Sequence, residues 1–581
     1  MQAWPLVTGT LLRHAARHHA EQTMVSIGVD GTRTEQTLLE TYSRCIRLAL
    51  ALERLTQIGE VVATLAWNTG RHVEAWHAVQ SSGRVLHTLN PRLSLEQLAF
   101  IASEGEDVVL LVDTDLVPLA EQLVAKVRGI RAVVVLAFRE QMPRGSGTCK
   151  LLCYEDLLAA EQTPAGADLF SYSWAGQNEN ARAAMCFTSG TTGNPKGVVY
   201  THRSQVLHAM MVRASGWAVP YAVLFTESSS LRGGSTVLTD DLTLNMQVGQ
   251  PDVCNISAND RLLLVVPCFH ANGWGLPFAS MIAGCRLVLP GPRLDGASIL
   301  RLITTEGCTL SAAVPTVWYG LLQHLRTLKG ASLAPLKRVI IGGAATAEAL
   351  LVAFEKEYGV DVQVAYGMTE TSPLMTLNKS KPGSPTDIRQ KLKAGRAMFT
   401  VDLRVVDDAG NPLPWDGVSS GHLQAKGPGV LRSYLKLKPL EEGAWFESGD
   451  IATIDKFGFV QIVDRSKDVV KSGGEFLSSV ALENEAMGVG TLAGAACIGV
   501  PDERWGERPV LIAVANPDVK VTEESVLAHL RGRLSKWAVP DRVIFVDAIP
   551  LTSVGKIDKK ELRSMYAKLW AKEAGPGRSK L

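Results

Sequence analysis

Residues Thr188 to Gly197 read Thr-Ser-Gly-Thr-Thr-Gly-Asn-Pro-Lys-Gly, so four hydroxylated residues and three glycines fall within one short stretch. Bare backbone of this kind can turn several N–H groups toward one anion and close around a chain of phosphates. Lys196 adds a cation on a flexible stem at the far end. The chemistry favoured is the grip of a polyphosphate, with a nucleotide as its occupant. A Walker loop needs glycine before the lysine and Ser or Thr after it. Here Pro195 precedes Lys196 and Gly197 follows, so one amide is missing and no hydroxyl stands ready for a magnesium ion. The flanks, Ala184-Met185-Cys186-Phe187 and Val198-Val199-Tyr200, read as a strand entering and a strand leaving.

Further motifs follow at a distance: Tyr366-Gly367-Met368-Thr369-Glu370, Ser448-Gly449-Asp450, Asp464-Arg465-Ser466-Lys467-Asp468 and Gly555-Lys556-Ile557. With the loop, in this order and spacing, they resemble the adenylate-forming superfamily of acyl-CoA synthetases and luciferases. Within it the chain is similar to the bacterial-type medium- and long-chain fatty-acid CoA ligases. The similarity spans nearly the whole chain apart from Val212 to Gln250 and the extreme tail. It implies an acid–thiol ligase that joins a carboxylate to AMP, expels pyrophosphate and passes the acyl group to CoA. ATP and CoA are then co-substrates and Mg²⁺ the accompanying ion.

The same resemblance assigns roles. Thr188, Ser189, Gly190, Thr191, Thr192, Gly193 and Lys196 would hold the phosphates, and Glu370 with Thr188 would ligate Mg²⁺, an ion that prefers hard oxygen donors. Tyr366 would stack on adenine, with Gly343, Gly367 and Thr369 beside the nucleotide, while Asp450 and Arg465 take the ribose hydroxyls. Lys556 would reach the carboxylate and α-phosphate during adenylation, where charge must be neutralised before attack. Lys467 matches the hinge on which a small domain swings between steps, and Lys471, Gly473 and Gly474 would then face CoA. His270, Trp274, Gly275, Val314, Gly342, Gly343 and Ala344 would line the acyl pocket, with Trp274 its gate and His270 beside the carboxylate. Two departures are local: Ser448 stands where the family commonly has Thr, and Ala444 separates Gly443 from Trp445.

These groups need a scaffold larger than one core, and 581 residues imply at least two domains. Strand-like runs at Asp107–Val112, Ala132–Val135, Leu262–Val266 and Arg338–Ile341 alternate with helical patterns, which argues an α/β fold with largely parallel sheets. From Asp402 the texture becomes short strands with turns at Asp408 to Pro412 and at Asp416-Gly417. The expected architecture is a large AMP-binding domain over 1–465, made of two α/β sheet subdomains and a distorted β-barrel. A hinge at 466–468, a small mobile α+β domain over 469–574 and a tail at 575–581 follow. Val212 to Gln250 has no sustained periodicity and reads as an inserted lid or lobe, or as a retained intron.

Lys+Arg 59 against Asp+Glu 58 gives a net charge of +1, which offers no electrostatic reason to expect nucleic acid. No apolar run approaches the roughly 18 residues of a membrane span. Nine cysteines without repeated spacing read as buried thiols rather than a zinc site. The Arg- and His-rich start reads as a surface helix opened by Thr8 or Thr10, in preference to a transit peptide. Ser579-Lys580-Leu581 reads as a peroxisomal address, which implies an import receptor as partner and peroxisomes or related organelles such as glyoxysomes or glycosomes as the expected location. A homodimer is compatible with all of this.

Overall fold

Both flanks of the glycine-rich loop are strands: Arg182–Phe187 and Gly197–Thr201 pair antiparallel. The computed structural model describes residues 4–163, 166–176, 178–188, 195–213, 254–472, 475–502, 504–516, 519–552 and 557–573. Among these, the loop strands close one edge of a seven-stranded sheet. Its other strands run parallel in the order Leu151–Cys153, Ala132–Val135, Asp107–Val112, Val61–Leu65, Val85–Thr88. Val61–Leu65 is buried at every position, as a parallel strand covered on both faces must be.

The second sheet has thirteen strands. Its parallel part runs Thr23–Ile27, Arg286–Leu289, Arg261–Leu263, Leu310–Ala313, Arg338–Gly342, Asp361–Gly367, with Arg33–Thr37 antiparallel at the outer edge. From Asp361–Gly367 the pairing turns antiparallel through Leu374–Leu377, Gly395–Ala397, Phe459–Arg465, Phe446–Ile454, Gly421–Lys426 and Asp402–Val406. The β-rich part expected from Asp402 thus begins at Leu374 and is hydrogen-bonded to the second α/β sheet. Gly421–Lys426 alternates buried and less buried positions, the pattern of a sheet with one wet face. Helix Gly70–Ser81 lies between the layers, with Trp76 fully buried in the core.

Two local expectations are corrected. The strand read at Leu262–Val266 stops at Leu263, because the Asn68 amide donates to the carbonyls of Leu264 and Val266, both at 2.8 Å, and its oxygen accepts from Cys268 N. The N-terminal helix Gly9–His18 does start after Thr8, its N-cap residue, but without a side-chain cap bond, and it is not a surface helix throughout, since it buries Leu11, Leu12, Ala15 and Ala16. The Thr8 hydroxyl sits 2.9 Å from His202 Nδ1 and Thr10 donates to Val7 O.

Beyond Arg465, residues 466–468 form a turn whose Ser466 N and Oγ both donate to Gly449 O. A five-stranded sheet follows, in the order Glu475–Leu477, Val470–Ser472, Gly506–Ala515, Leu492–Asp502, with Arg542–Phe545 parallel to Gly506–Ala515. Helices Ser479–Met487, Glu523–Arg531 and Lys559–Glu573 accompany it. No helix among the described residues is long and apolar enough to cross a membrane.

Candidate functional site

The loop is drawn shut at its base. Thr188 N donates to Lys196 O (2.9 Å) and Lys196 N donates back to Thr188 Oγ1 (3.3 Å). Ser189, Gly190, Thr191, Thr192 and Gly193 lie outside the described residues, as do Gly473, Gly474, Lys556, Ser579-Lys580-Leu581 and the chain from Ala214 to Val253.

A cavity of about 940 Å³ opens beside the loop. Of the residues singled out by sequence, Thr188, Lys196, His270, Trp274, Gly342, Gly343, Gly367, Thr369, Glu370 and Arg465 line it. Glu370 is buried at the end of Asp361–Gly367, where the chain leaves the sheet. Its neighbour Thr369 gives its carbonyl to the Tyr200 hydroxyl at 2.7 Å, which ties the motif to the strand leaving the loop. Gly367 has no room for a side chain: a Cβ there would lie 2.0 Å from Pro373 O.

Tyr366 and Asp450 stand behind this wall rather than on it. The Tyr366 hydroxyl donates to Asp450 Oδ2, and Arg465 Nε lies 3.3 Å from Asp450 Oδ1. Burial, followed by the Asp450 charge, pushes the Tyr366 phenol well above its ordinary value, so it stays a donor. The Ser448 hydroxyl accepts from Asp450 N (3.1 Å) and donates to Leu423 O (2.7 Å), so serine suffices where the family commonly has Thr.

Another part of the cavity wall is shaped by backbone. Ala271, Gly273, Trp274 and Gly275 all have positive φ, between 37° and 70°. For alanine and tryptophan that conformation costs about 1–3 kcal/mol each and persists only where neighbours impose it. The reason is visible at Gly342, whose missing Cβ would lie 3.0 Å from Trp274 Cη2. The indole therefore rests on bare backbone, almost wholly buried. Gly275 is required as glycine, with φ +70° and a would-be Cβ 2.6 Å from His208 Nδ1. His208 Nε2 in turn accepts from Leu374 N at 3.2 Å, and burial lowers the ring to about 3, so it is neutral. His270 is half-buried on the cavity wall, beside Phe269.

Other expected residues fall elsewhere. Val314 precedes helix Pro315–Arg326 and packs against the apolar core that holds Trp274 and Leu374, and neither it nor Gly275 nor Ala344 lines the cavity. Lys467 sits in the turn after Arg465, and Lys471 N donates to Glu507 Oε2 (2.9 Å) in the small domain. Sequence reasoning missed several wall residues: Tyr434, Arg92 and Asn90, with Leu551, Thr552 and Asp558 from the small domain.

The model for "AMP-binding enzyme" matches residues 12–435, and that for the "AMP-binding enzyme C-terminal domain" matches 481–556. The chain belongs to the AMP-binding enzyme family. Among curated members of that family it is 39% identical, over 97% of this chain and 98% of the relative, to 3-methylmercaptopropionyl-CoA ligase of Ruegeria lacuscaerulensis. It is 38% identical, over 97% and 96%, to medium-chain-fatty-acid–CoA ligase of Ectopseudomonas oleovorans. The solved structure of anthranilate CoA ligase with anthranoyl-AMP superposes with a TM-score of 0.80 at 21% identity, over 98% of this chain and 99% of that one. That likeness extends the adenylate-forming fold over the large and small domains together.

Proposed function

We propose that this acid–thiol ligase of the AMP-binding family activates a medium- or long-chain aliphatic acid as its acyl-adenylate and transfers it to CoA. The observation that carries the reading is one cavity with two unlike sets of wall residues. Thr188, Lys196, Glu370 and Arg465 supply charge and hydrogen bonds, and Trp274, Gly342, Gly343, Ala365 and Leu374 supply shape. No acidic or basic side chain lies among those five, which suits an alkyl chain, while Arg92, Glu104 and His270 stand elsewhere on the wall. Each CH₂ buried against the five contributes roughly 0.8 kcal/mol.

The residues divide the work. Lys196 and the loop amides hold the β- and γ-phosphates; Arg465 on the wall takes the ribose, with Asp450 behind it bonded to Tyr366 and Arg465; His270 flanks the carboxylate. Thr188 and Glu370 offer the hydroxyl and carboxylate oxygens that suit Mg²⁺. That ion, when bound, offsets charge on the phosphates. Lys556 completes the neutralisation in the first step, and the small domain then turns about residues 466–468 for thioester formation.

A panel of acids from acetate to palmitate, scored for AMP release with and without CoA, tests the reading. AMP that rises with chain length and requires CoA is the expected result; ADP as product would end it. A second reading, a short thioether acid, draws on the 39% identity to the methylmercaptopropionyl ligase and is decided by adding 3-methylthiopropionate to the panel. Lys556→Ala is expected to slow adenylation by about 10²–10³ while sparing thioester formation from supplied acyl-AMP. Equal loss in both half-reactions would remove Lys556 from the role.

A further inference from the structure

Segment 431–435 is strapped across the two motifs that the proposed function relies on. Leu431 N donates to Glu370 O (2.7 Å), Leu435 N donates to Gly197 O (2.7 Å), and Tyr434 bridges to Val198. From this strap the Tyr434 hydroxyl donates to Glu370 Oε1 at 2.9 Å. The Lys196 ammonium lies 4.9 Å from the centre of the Tyr434 ring. One side chain therefore touches both the cation of the phosphate loop and the buried carboxylate. Among the described residues Lys196 forms no ion pair, and Glu370 and Lys196 do not meet directly.

We propose that Tyr434 is a positioning residue that couples the phosphate loop to the Glu370 carboxylate. Its ring parks the Lys196 ammonium until a triphosphate takes it, and its hydroxyl occupies one oxygen of Glu370 so that the other is turned to the nucleotide-bound cation. The ring works through its negative face, which attracts an ammonium without competing as strongly as a carboxylate would. The hydroxyl works through a charge-assisted hydrogen bond that fixes the carboxylate rotamer. This rests on the proposed roles of Lys196 and Glu370, and no acyl substrate is needed to test it.

The two functions separate by substitution. Tyr434→Phe keeps the ring and deletes the hydroxyl; Tyr434→Leu deletes both. Binding of ATP without metal is measured by calorimetry, and retention of Mn²⁺ in the ATP complex by electron paramagnetic resonance. Tyr434→Phe is expected to bind metal-free ATP as the parent does and to hold Mn²⁺ about tenfold more weakly. Tyr434→Leu is expected to weaken metal-free ATP about threefold to tenfold as well. A merely structural tyrosine would move both readings together, and phenylalanine would restore both or neither. Unchanged Mn²⁺ retention in Tyr434→Phe overturns the hydroxyl's role, and equal ATP affinity in the two variants overturns the ring's. A parent enzyme that binds no ATP would instead sink the underlying assignment of the site.

Discussion

The two ends of the cavity are specified by different means. At the proposed nucleotide end several described polar groups are paired: Tyr366 with Asp450, Asp450 with Arg465, Tyr434 with Glu370, Tyr200 with Thr369 O. At the proposed acyl end the form comes from backbone, with left-handed residues between Ala271 and Gly275 and an indole laid against Gly342. Directional bonds suit a ligand whose polar groups sit at fixed places. An alkyl chain offers none, so its site can be set only by volume, and volume is set most sharply where no side chain intervenes. Damage to the first end should therefore appear as lost nucleotide affinity, and damage to the second as altered choice of acid.

The largest effect expected is a loss of stability at the junction between the two. Gly367→Ala places a Cβ 2.0 Å from a backbone carbonyl that no rotamer change can move. It should cost about 3 kcal/mol or more in denaturant unfolding. Asp450→Asn removes the charge facing Arg465 and should weaken ATP about tenfold to a hundredfold by calorimetry, with the order of preference among acids unchanged. Gly342→Ala meets Trp274 Cη2 at 3.0 Å and Ala365 O at 2.9 Å, so the indole and the backbone of the neighbouring strand must both give. It should raise KM for longer acids about fivefold while KM for ATP stays put. If ATP moved as much as the acid, the two ends would not be separable in this way.

A last effect is graded with pH. His208 at the acyl end and His77 are lowered to about 3, and His72 and His202 to about 4, each by burial. The unfolded chain protonates these rings near 6.5 and the native one only far below, so the unfolded state binds more protons in between. Stability is therefore full above about 6.5 and falls as pH drops toward 4, by at most about 1.4 kcal/mol per pH unit for each ring. The melting temperature should fall between pH 7.5 and 5.5, and His208→Gln, which still accepts from Leu374 N, should lessen the fall.

The phosphate loop was legible from residue types alone, glycines with hydroxyls at Thr188–Gly197, whereas Glu370 and Asp450 were singled out only by the resemblance of Tyr-Gly-Met-Thr-Glu and Ser-Gly-Asp to the family. Tyr434 was not. It lies in Ser-Tyr-Leu-Lys-Leu-Lys, and one aromatic among lysines carries no local sign that a carboxylate distant in sequence will meet it. The left-handed run could have been suspected from Gly273-Trp274-Gly275, but the strain on Ala271 could not, since it arises from packing. Asn68 shows the same limit, because its amide ends a strand almost two hundred residues away. Parallel strands such as Val61–Leu65 announce themselves by continuous apolarity, whereas the order in which they pair leaves no trace in the run itself.

That order has a cost in time. Thr23–Ile27 is among the first strands made, yet its parallel neighbour is Arg286–Leu289. At roughly 5–20 residues per second, the ribosome needs about 13–50 s to deliver that neighbour. For this interval an apolar strand emerges with its inner edge open, and whatever shields nascent chains must guard it until the second sheet arrives.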